Sequence, residues 1–235
     1  MLKSIEKTGF AIHRDILNEH QLQDLLASLQ LEEHSGTRAR HGSIYAARNL
    51  LQLPQIRQLV QTPEIRQLVE PLLGKNAFAV RGILFDKNSD ANWKVMWHQD
   101  ISIAVQEKID TAGFGPWSQK AGVTHVQPPA EVLERMLTVR LHLDDCHADN
   151  GPLKVLLGSH RHGKLDASAI AQWRQQVDET ICEVPRGGAL LMKPLLLHAS
   201  APAATPQHRR VIHLDFAAQD LPNGLQWHER CLLYH

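Results

Sequence analysis

Leu195-Leu196-Leu197-His198-Ala199-Ser200, followed at 209–217 by Arg209-Arg210-Val211-Ile212-His213-Leu214-Asp215-Phe216-Ala217, is the stretch that decides the fold. Residues 195–199 and 209–217 both read as strands. In the second, Arg209, Val211 and His213 share one face, and Arg210, Ile212 and Leu214 the other. Only one of the two arginines can therefore point inward. Upstream, His98-Gln99-Asp100 has the i, i+2 spacing that puts both side chains on one face of a strand. Two histidines and one carboxylate from separate strands make the facial ligand set of a non-haem Fe(II) site. Such a site leaves three positions for a chelating co-substrate and O₂. A buried arginine nearby can hold the far carboxylate of a dicarboxylate, because its planar fork binds that group bidentately.

The His-x-Asp pattern alone is weak. With 15 histidines and 13 aspartates in 235 residues, it arises by chance, and the chain holds several, among them His98/Asp100, His142/Asp144 and His213/Asp215. The last lies too near the C-terminus to be followed by a third histidine and an arginine-bearing strand. His142/Asp144 has His198 and Arg209 downstream, so it competes with His98/Asp100.

The surrounding sequence resembles the phytanoyl-CoA dioxygenase family of Fe(II)/2-oxoglutarate oxygenases. Trp97-His98-Gln99-Asp100 is similar to that family's metal-binding segment. Leu143-Asp144-Asp145, Asn150-Gly151-Pro152-Leu153 and Gly158-Ser159-His160 with Gly163 resemble its middle signature. Leu197-His198-Ala199-Ser200 and Arg209-Arg210 resemble the distal histidine and the co-substrate arginine. These motifs run in order from about residue 78 to 217. The resemblance implies a double-stranded β-helix (a cupin-like jelly roll) with flanking helices. It implies that His98, Asp100 and His198 are the Fe(II) ligands. It puts His142/Asp144 on a middle strand that carries no ligand, and favours Arg209 over Arg210 as the partner of the 2-oxoglutarate 5-carboxylate. Arg140 departs from the pattern, standing where many members carry a bulky aromatic or aliphatic residue.

The expected reaction follows. 2-Oxoglutarate chelates the metal, O₂ takes the remaining position, the co-substrate leaves as succinate and a small organic substrate is hydroxylated. Ser200, two residues past His198, could place its hydroxyl beside Arg209. Arg140 and His142 alternate with Leu141 and Leu143, so they share a face that could line the substrate pocket. Arg140 could equally form an internal salt bridge to Asp144. His125 and Trp117 are further pocket candidates. Two other readings stay open: a cupin-like Zn or Ni enzyme that does not use 2-oxoglutarate, and a catalytically inert binding protein of the same fold.

Composition is compatible with this reading. The 25 basic and 25 acidic residues leave no global basic field for nucleic acid or an anionic membrane. Arg38-Ala39-Arg40-His41 and His160-Arg161-His162 read as solvated loops. Cys146, Cys182 and Cys231 are odd in number and widely spaced, which speaks against a disulfide framework. With no apolar leader at the start and no run of ~18 apolar residues, a single cytoplasmic domain over 1–235 is expected.

Along the chain, 1–75 reads mainly as helical support. A short strand is expected at 9–12, a helix from Asn18 to Leu31, and another opening at Thr62-Pro63-Glu64 and ending near Gly74. Ile-Arg-Gln-Leu-Val occurs at 56–60 and again at 65–69, as two amphipathic turns. Residues 76–217 read as the jelly-roll core, with strands at 77–85, 95–104, 137–144, 153–156, 181–184, 189–192, 195–199 and 209–217. The stretch 105–135 reads as a long irregular insertion and a candidate lid.

Overall fold

The computed structural model describes residues 2–29, 31 and 34–234. In chain order its elements are α1 (Leu2–Thr8), β1 (Phe10–His13), α2 (Glu19–Ser28), β2 (Thr37–Arg40), β3 (Ser43–Arg48), α3 (Pro54–Gln61), α4 (Pro63–Leu73) and β4 (Phe78–Lys87). Then follow β5 (Val95–His98), β6 (Ile103–Val105), β7 (Trp117–Lys120), β8 (Val123–Val126), α5 (Ala130–Glu134), β9 (Leu137–His142), β10 (Leu153–Leu156) and α6 (Ala167–Gln176). The last are β11 (Glu179–Cys182), β12 (Ala189–Met192), β13 (His198–Ser200), β14 (Arg209–Ala217) and β15 (Cys231–Leu232).

An eight-stranded antiparallel sheet has the order β1-β12-β9-β14-β4-β3-β2, with β15 added on β4. A four-stranded sheet, β11-β10-β13-β5, is the second layer, and β6-β8-β7 form a small third sheet. This is a double-stranded β-helix with helices on one side. The order is non-consecutive because the chain changes layer repeatedly, from β4 to β5, from β9 to β10 and at each step from β11 to β14, the habit of jelly rolls.

Strand parity explains the layering. On β14 and β9, Ile212, Leu214, Leu141 and Val139 are buried on the outer face of the large sheet. There they join the apolar stripes of the helices, including Leu22, Leu25, Ile56, Val60, Ile65, Leu68 and Val69. The repeated pentapeptide lies on α3 and α4, and both copies turn Ile, Leu and Val into this core. Thr62 caps α4, accepting from Ile65 N, and Gly74 closes it at φ +85. Asn18 and Gln21 form a capping box at the start of α2. The opposite face of the large sheet is polar, and it looks toward the four-stranded layer.

Four sequence expectations need correction. Beyond the expected strand at β1, residues 1–75 also supply β2 and β3 to the large sheet. The Arg38-Ala39-Arg40-His41 run is the charged strand β2 and its turn. Its charges suit an outermost strand, where they discourage pairing with other chains. His41 and Gly42, at φ +49 and +85, make the two-residue hairpin turn into β3. Residues 105–135 are irregular only in part, over 106–116 and 127–129. Ala121 and Gly122, both at positive φ, turn β7 into β8, which pairs with β6, and α5 follows. Finally, Leu195-Leu196-Leu197 is a buried turn rather than strand, and the strand starts at His198. The helix α6, capped by Asp166, was not anticipated.

Leu141 is fully buried between the helices and the large sheet. Leu141→Ala is expected to lower unfolding free energy by about 2–5 kcal/mol, the scale for a core cavity. A shifted urea midpoint at unchanged slope is the check.

Candidate functional site

β5 and β13 are antiparallel neighbours with His98 directly opposite His198. The imidazole centroids lie 4.2 Å apart at 51°. Each ring faces the main-chain carbonyl two residues before it: His98 Nδ1 to Met96 O and His198 Nδ1 to Leu196 O, both 2.8 Å. Proton donation from both Nδ1 atoms leaves both Nε2 lone pairs free, the arrangement that orients histidine ligands. Asp100 approaches both, with carboxylate oxygens 3.8 Å from His98 Nε2 and 3.8 Å from His198 Nε2. One ligand atom from each of the three lies within 4.8 Å of the others, a set able to hold one ion.

Gln99, between the ligands, faces the other way and is buried. Its amide donates to Gly163 O (2.9 Å) and Leu195 O (2.7 Å) and accepts from Leu165 N (2.7 Å). Asp100 N donates to Pro194 O at 2.9 Å. One side chain thus ties the first ligand segment to the turn that precedes His198. Burial raises the Asp100 carboxyl, but the charges of His198, His213 and Arg81 outweigh it and hold the group below its ordinary value. Burial pushes His198 down to about 4, against the pull of Asp100. Both groups are therefore poised in the deprotonated forms that bind metal.

The interior face of the large sheet lies beside this triad. Its cross-strand rows follow from the register: Lys87 opposite Arg209, Phe85–Val211–His142, Ile83–His213–Arg140 and Arg81–Asp215–Thr138. At one end the charges balance. Asp215 accepts from Arg81 Nε at 2.6 Å, Thr138 Oγ1 at 2.6 Å and His213 Nε2 at 3.0 Å. His213 Nδ1 faces Arg140 Nη1 at 2.9 Å. At the other end they do not. Lys87, Arg140 and Arg209 are all buried, yet among the described residues no carboxylate lies within 4.0 Å of any of their side-chain nitrogens.

Their existing partners are neutral. Lys87 Nζ donates to Ser200 Oγ (2.6 Å) and Ala201 O (2.5 Å), and Arg209 donates to Gly151 O. Arg140 Nε, Arg209 Nε and both ring nitrogens of His142 are buried without any partner. Burial, then repulsion from Arg209, pushes Lys87 down to about 7. Burial and Arg209 likewise lower Arg140 to about 10. A cluster of buried cations with orphaned donors suits an anion.

Each sequence candidate can now be located. Arg209 faces inward, whereas Arg210 faces outward and clasps Asp144 at 2.6 and 2.8 Å. The alternative Arg140–Asp144 bridge does not form, since Arg140 is turned to His213. His142 points inward and Asp144 outward, so that pair cannot share a metal. Ser200 lies beside Lys87 and donates to Gly151 O at 2.8 Å. His125 is buried on β8, its Nδ1 3.0 Å from Val123 O, and burial lowers it to about 4. Trp117 packs with Phe114 against the second core of Ile103, Val105, Val126 and Trp227. Lys87 was missed. It lies two residues past the expected end of its strand, and only the β4–β14 register puts it opposite Arg209.

The fold and the triad define an enzyme of the Fe(II)/2-oxoglutarate-dependent oxygenase class. More particularly, residues 5–211 match the model for phytanoyl-CoA dioxygenase (PhyH), and the chain belongs to that family. No curated protein sequence matches significantly. Among solved structures it is similar to EctD from S. alaskensis in its apoform, with TM-score 0.73, 17% identity and coverage of 100% of this chain and 85% of that one. It is also similar to SnoN, a non-heme alpha ketoglutarate dependent epimerase from nogalamycin biosynthesis, with TM-score 0.67, 17% identity and coverage of 95% and 88%. SnoK, a carbocyclase from the same biosynthesis, gives TM-score 0.70, 15% identity and coverage of 93% and 83%. No helix among the described residues is long and apolar enough to cross a membrane.

Gln99→Ala is expected to weaken divalent-metal binding about 10–100-fold, the usual effect of removing a group that orients ligands. Anaerobic titration with Fe(II) or Co(II) is the check; unchanged affinity would mean that the ligand strands hold their geometry without it.

Proposed function

We propose that this protein is a dioxygenase that hydroxylates a small organic substrate, using Fe(II), 2-oxoglutarate and O₂. The observation that carries this reading is the cationic hollow of Lys87, Arg140 and Arg209, without a carboxylate, beside an open two-histidine, one-carboxylate triad. A Zn or Ni enzyme with no dicarboxylate co-substrate would leave those buried charges unbalanced. His98, Asp100 and His198 hold the metal. Arg209 and Lys87, with Ser200, hold the 5-carboxylate of 2-oxoglutarate. When both are bound, they supply the oxidant: 2-oxoglutarate and O₂ are converted to succinate and CO₂, and one oxygen atom enters a C–H bond of the substrate.

The chain's own residues do the rest. Arg209 offers its guanidinium and Lys87 its ammonium from adjacent strands, fixing the co-substrate's distant end. Ser200 orients Lys87. Arg140 and His142, with donors unsatisfied on the same face, complete the wall of the co-substrate and substrate cavity. His125 lines the substrate side. Residues 105–135, with Trp117 as their apolar anchor, cover the site and exclude water once substrate is in place. The solved structures of EctD with bound Fe, and of EctD with 2-oxoglutarate and 5-hydroxyectoine, support this reading by fold. The epimerase and carbocyclase share the fold, so product analysis belongs to the test of hydroxylation.

Three outcomes are expected. Arg209→Ala weakens anaerobic 2-oxoglutarate binding by about 2–4 kcal/mol, the scale for losing one partner of a buried charge pair. Arg210→Ala changes it much less; the reverse ranking would overturn the assignment. Second, a bound carboxylate favours the charged form of Lys87, which burial holds near 7 in the free protein. Binding therefore takes up a proton. Affinity is level below pH 7 and falls by up to about tenfold per pH unit above it. Lys87→Met binds more weakly and loses that slope, which titrations from pH 6 to 9 will read. Third, amide exchange in 105–135 slows when 2-oxoglutarate and substrate are both bound, and Trp117→Ala releases succinate without matching product. Unchanged exchange and full coupling would make the segment an ordinary surface element.

A further inference from the structure

A second, separate group of cations lies on the Ser102 side of the triad. Arg48 ends β3 opposite Ile83, so its side chain joins the interior face of the large sheet. It is a diagonal neighbour of Arg81 on β4. Arg81 is already neutralised by Asp215 at 2.6 Å, and its Nη1 donates to Ser102 O at 3.3 Å. Lys120, at the end of β7, turns its Nζ onto Ser102 Oγ at 3.1 Å. Ser102 is two residues past the ligand Asp100. Arg48 and Lys120 thus approach each other and Arg81 from two different sheets, and Lys120 lies close enough to Asp100 to feel its charge.

Neither has an anionic partner. Arg48 is half-buried, yet its guanidinium makes no hydrogen bond among the described residues, and no carboxylate lies within 4.0 Å of it or of Lys120. Arg38, Arg81 and Lys120 are its charged neighbours, and like charges so placed repel. Glu229 does not relieve them, since it accepts from the backbone of Gly82 and Leu51. Asp100 is committed to the triad. Arg48 is only half-buried, so an anion from solvent can reach it.

We infer that Arg48 and Lys120 form an oxyanion subsite for the prime substrate. The substrate class is then a small organic acid or phosphate ester, held by its charged end while a nearby carbon faces the triad. This rests on the oxygenase reading above for the identity of the reaction, but not for the binding itself. The arrangement is distinct from the Lys87–Arg140–Arg209 hollow, which lies at the far end of the sheet face, beyond the His213–Asp215 pair.

The test is side-chain NMR on the metal-free protein, following the arginine Nε–Hε signals, with Arg48 assigned by its loss in Arg48→Gln. The probes are inorganic phosphate, butyrate and, as the neutral control, butyramide, each added with Arg209→Ala in the background to silence the other hollow. Phosphate or butyrate should shift the Arg48 signal saturably, and Lys120→Gln, an exposed position, should weaken that binding by about tenfold, as expected for one charge-assisted hydrogen bond. The better of the two probes identifies the substrate's charged group. No shift with either anion, an equal shift with butyramide, or indifference to Lys120→Gln would overturn the inference. In the same spectra of the unsubstituted protein, the Arg209 signal reports on added 2-oxoglutarate, so a failure of the oxygenase reading appears at a different resonance.

Discussion

The large sheet has two unlike faces: outward it is mainly apolar, inward it is crowded with charge. Burying a cation without a counter-ion is among the costliest things a fold can do. This molecule does it at Lys87, Arg140 and Arg209. The rest of the structure accommodates that constraint. The helical layer and the Ile212–Leu141–Leu214 core supply stability from the other face of the same strands. The Arg81–Asp215–His213 cluster neutralises one end of the interior, leaving the imbalance concentrated at the other.

The candidate metal ligands His98 and His198 come from the second layer, and their geometry is set by strand register more than by any one side chain. His98 and His198 face each other because β5 and β13 pair in that register and no other. The shift in pairing just past His198 then lets Ser200 reach Lys87 across the barrel. A single slip of β13 would turn His198 toward solvent and remove Ser200 from the interior at once. The buried turn at Leu195–Leu197, gripped by Gln99, guards against that slip.

Much of this was legible in the chain. The i, i+2 spacing of His98 and Asp100 needs no knowledge of the fold, and the parity of Arg209 and Arg210 left only one able to face inward. What was hidden depended on pairing. Lys87 carries no motif, and nothing in Phe85-Asp86-Lys87 reveals which strand lies alongside. Arg48 and β2 were hidden for a related reason. A charged outermost strand has the composition of a loop, and β3, its partner, pairs in turn with β4 some thirty residues downstream. In 105–135, strands of four residues are too short for alternation to rise above the glycines and prolines around them. Helices fared better, because Asn18, Thr62 and Gly74 signal their ends locally.

The strand that carries His98 is the last in its sheet. His98 is correspondingly the more open ligand, 42% exposed against 5% for His198. Outermost strands fray at far lower free energy than central ones. In the proposed metal centre, local opening of β5 would release His98 while His198 and the hydrophobic layer stay in place, so that the ion could leave and return without unfolding of the barrel.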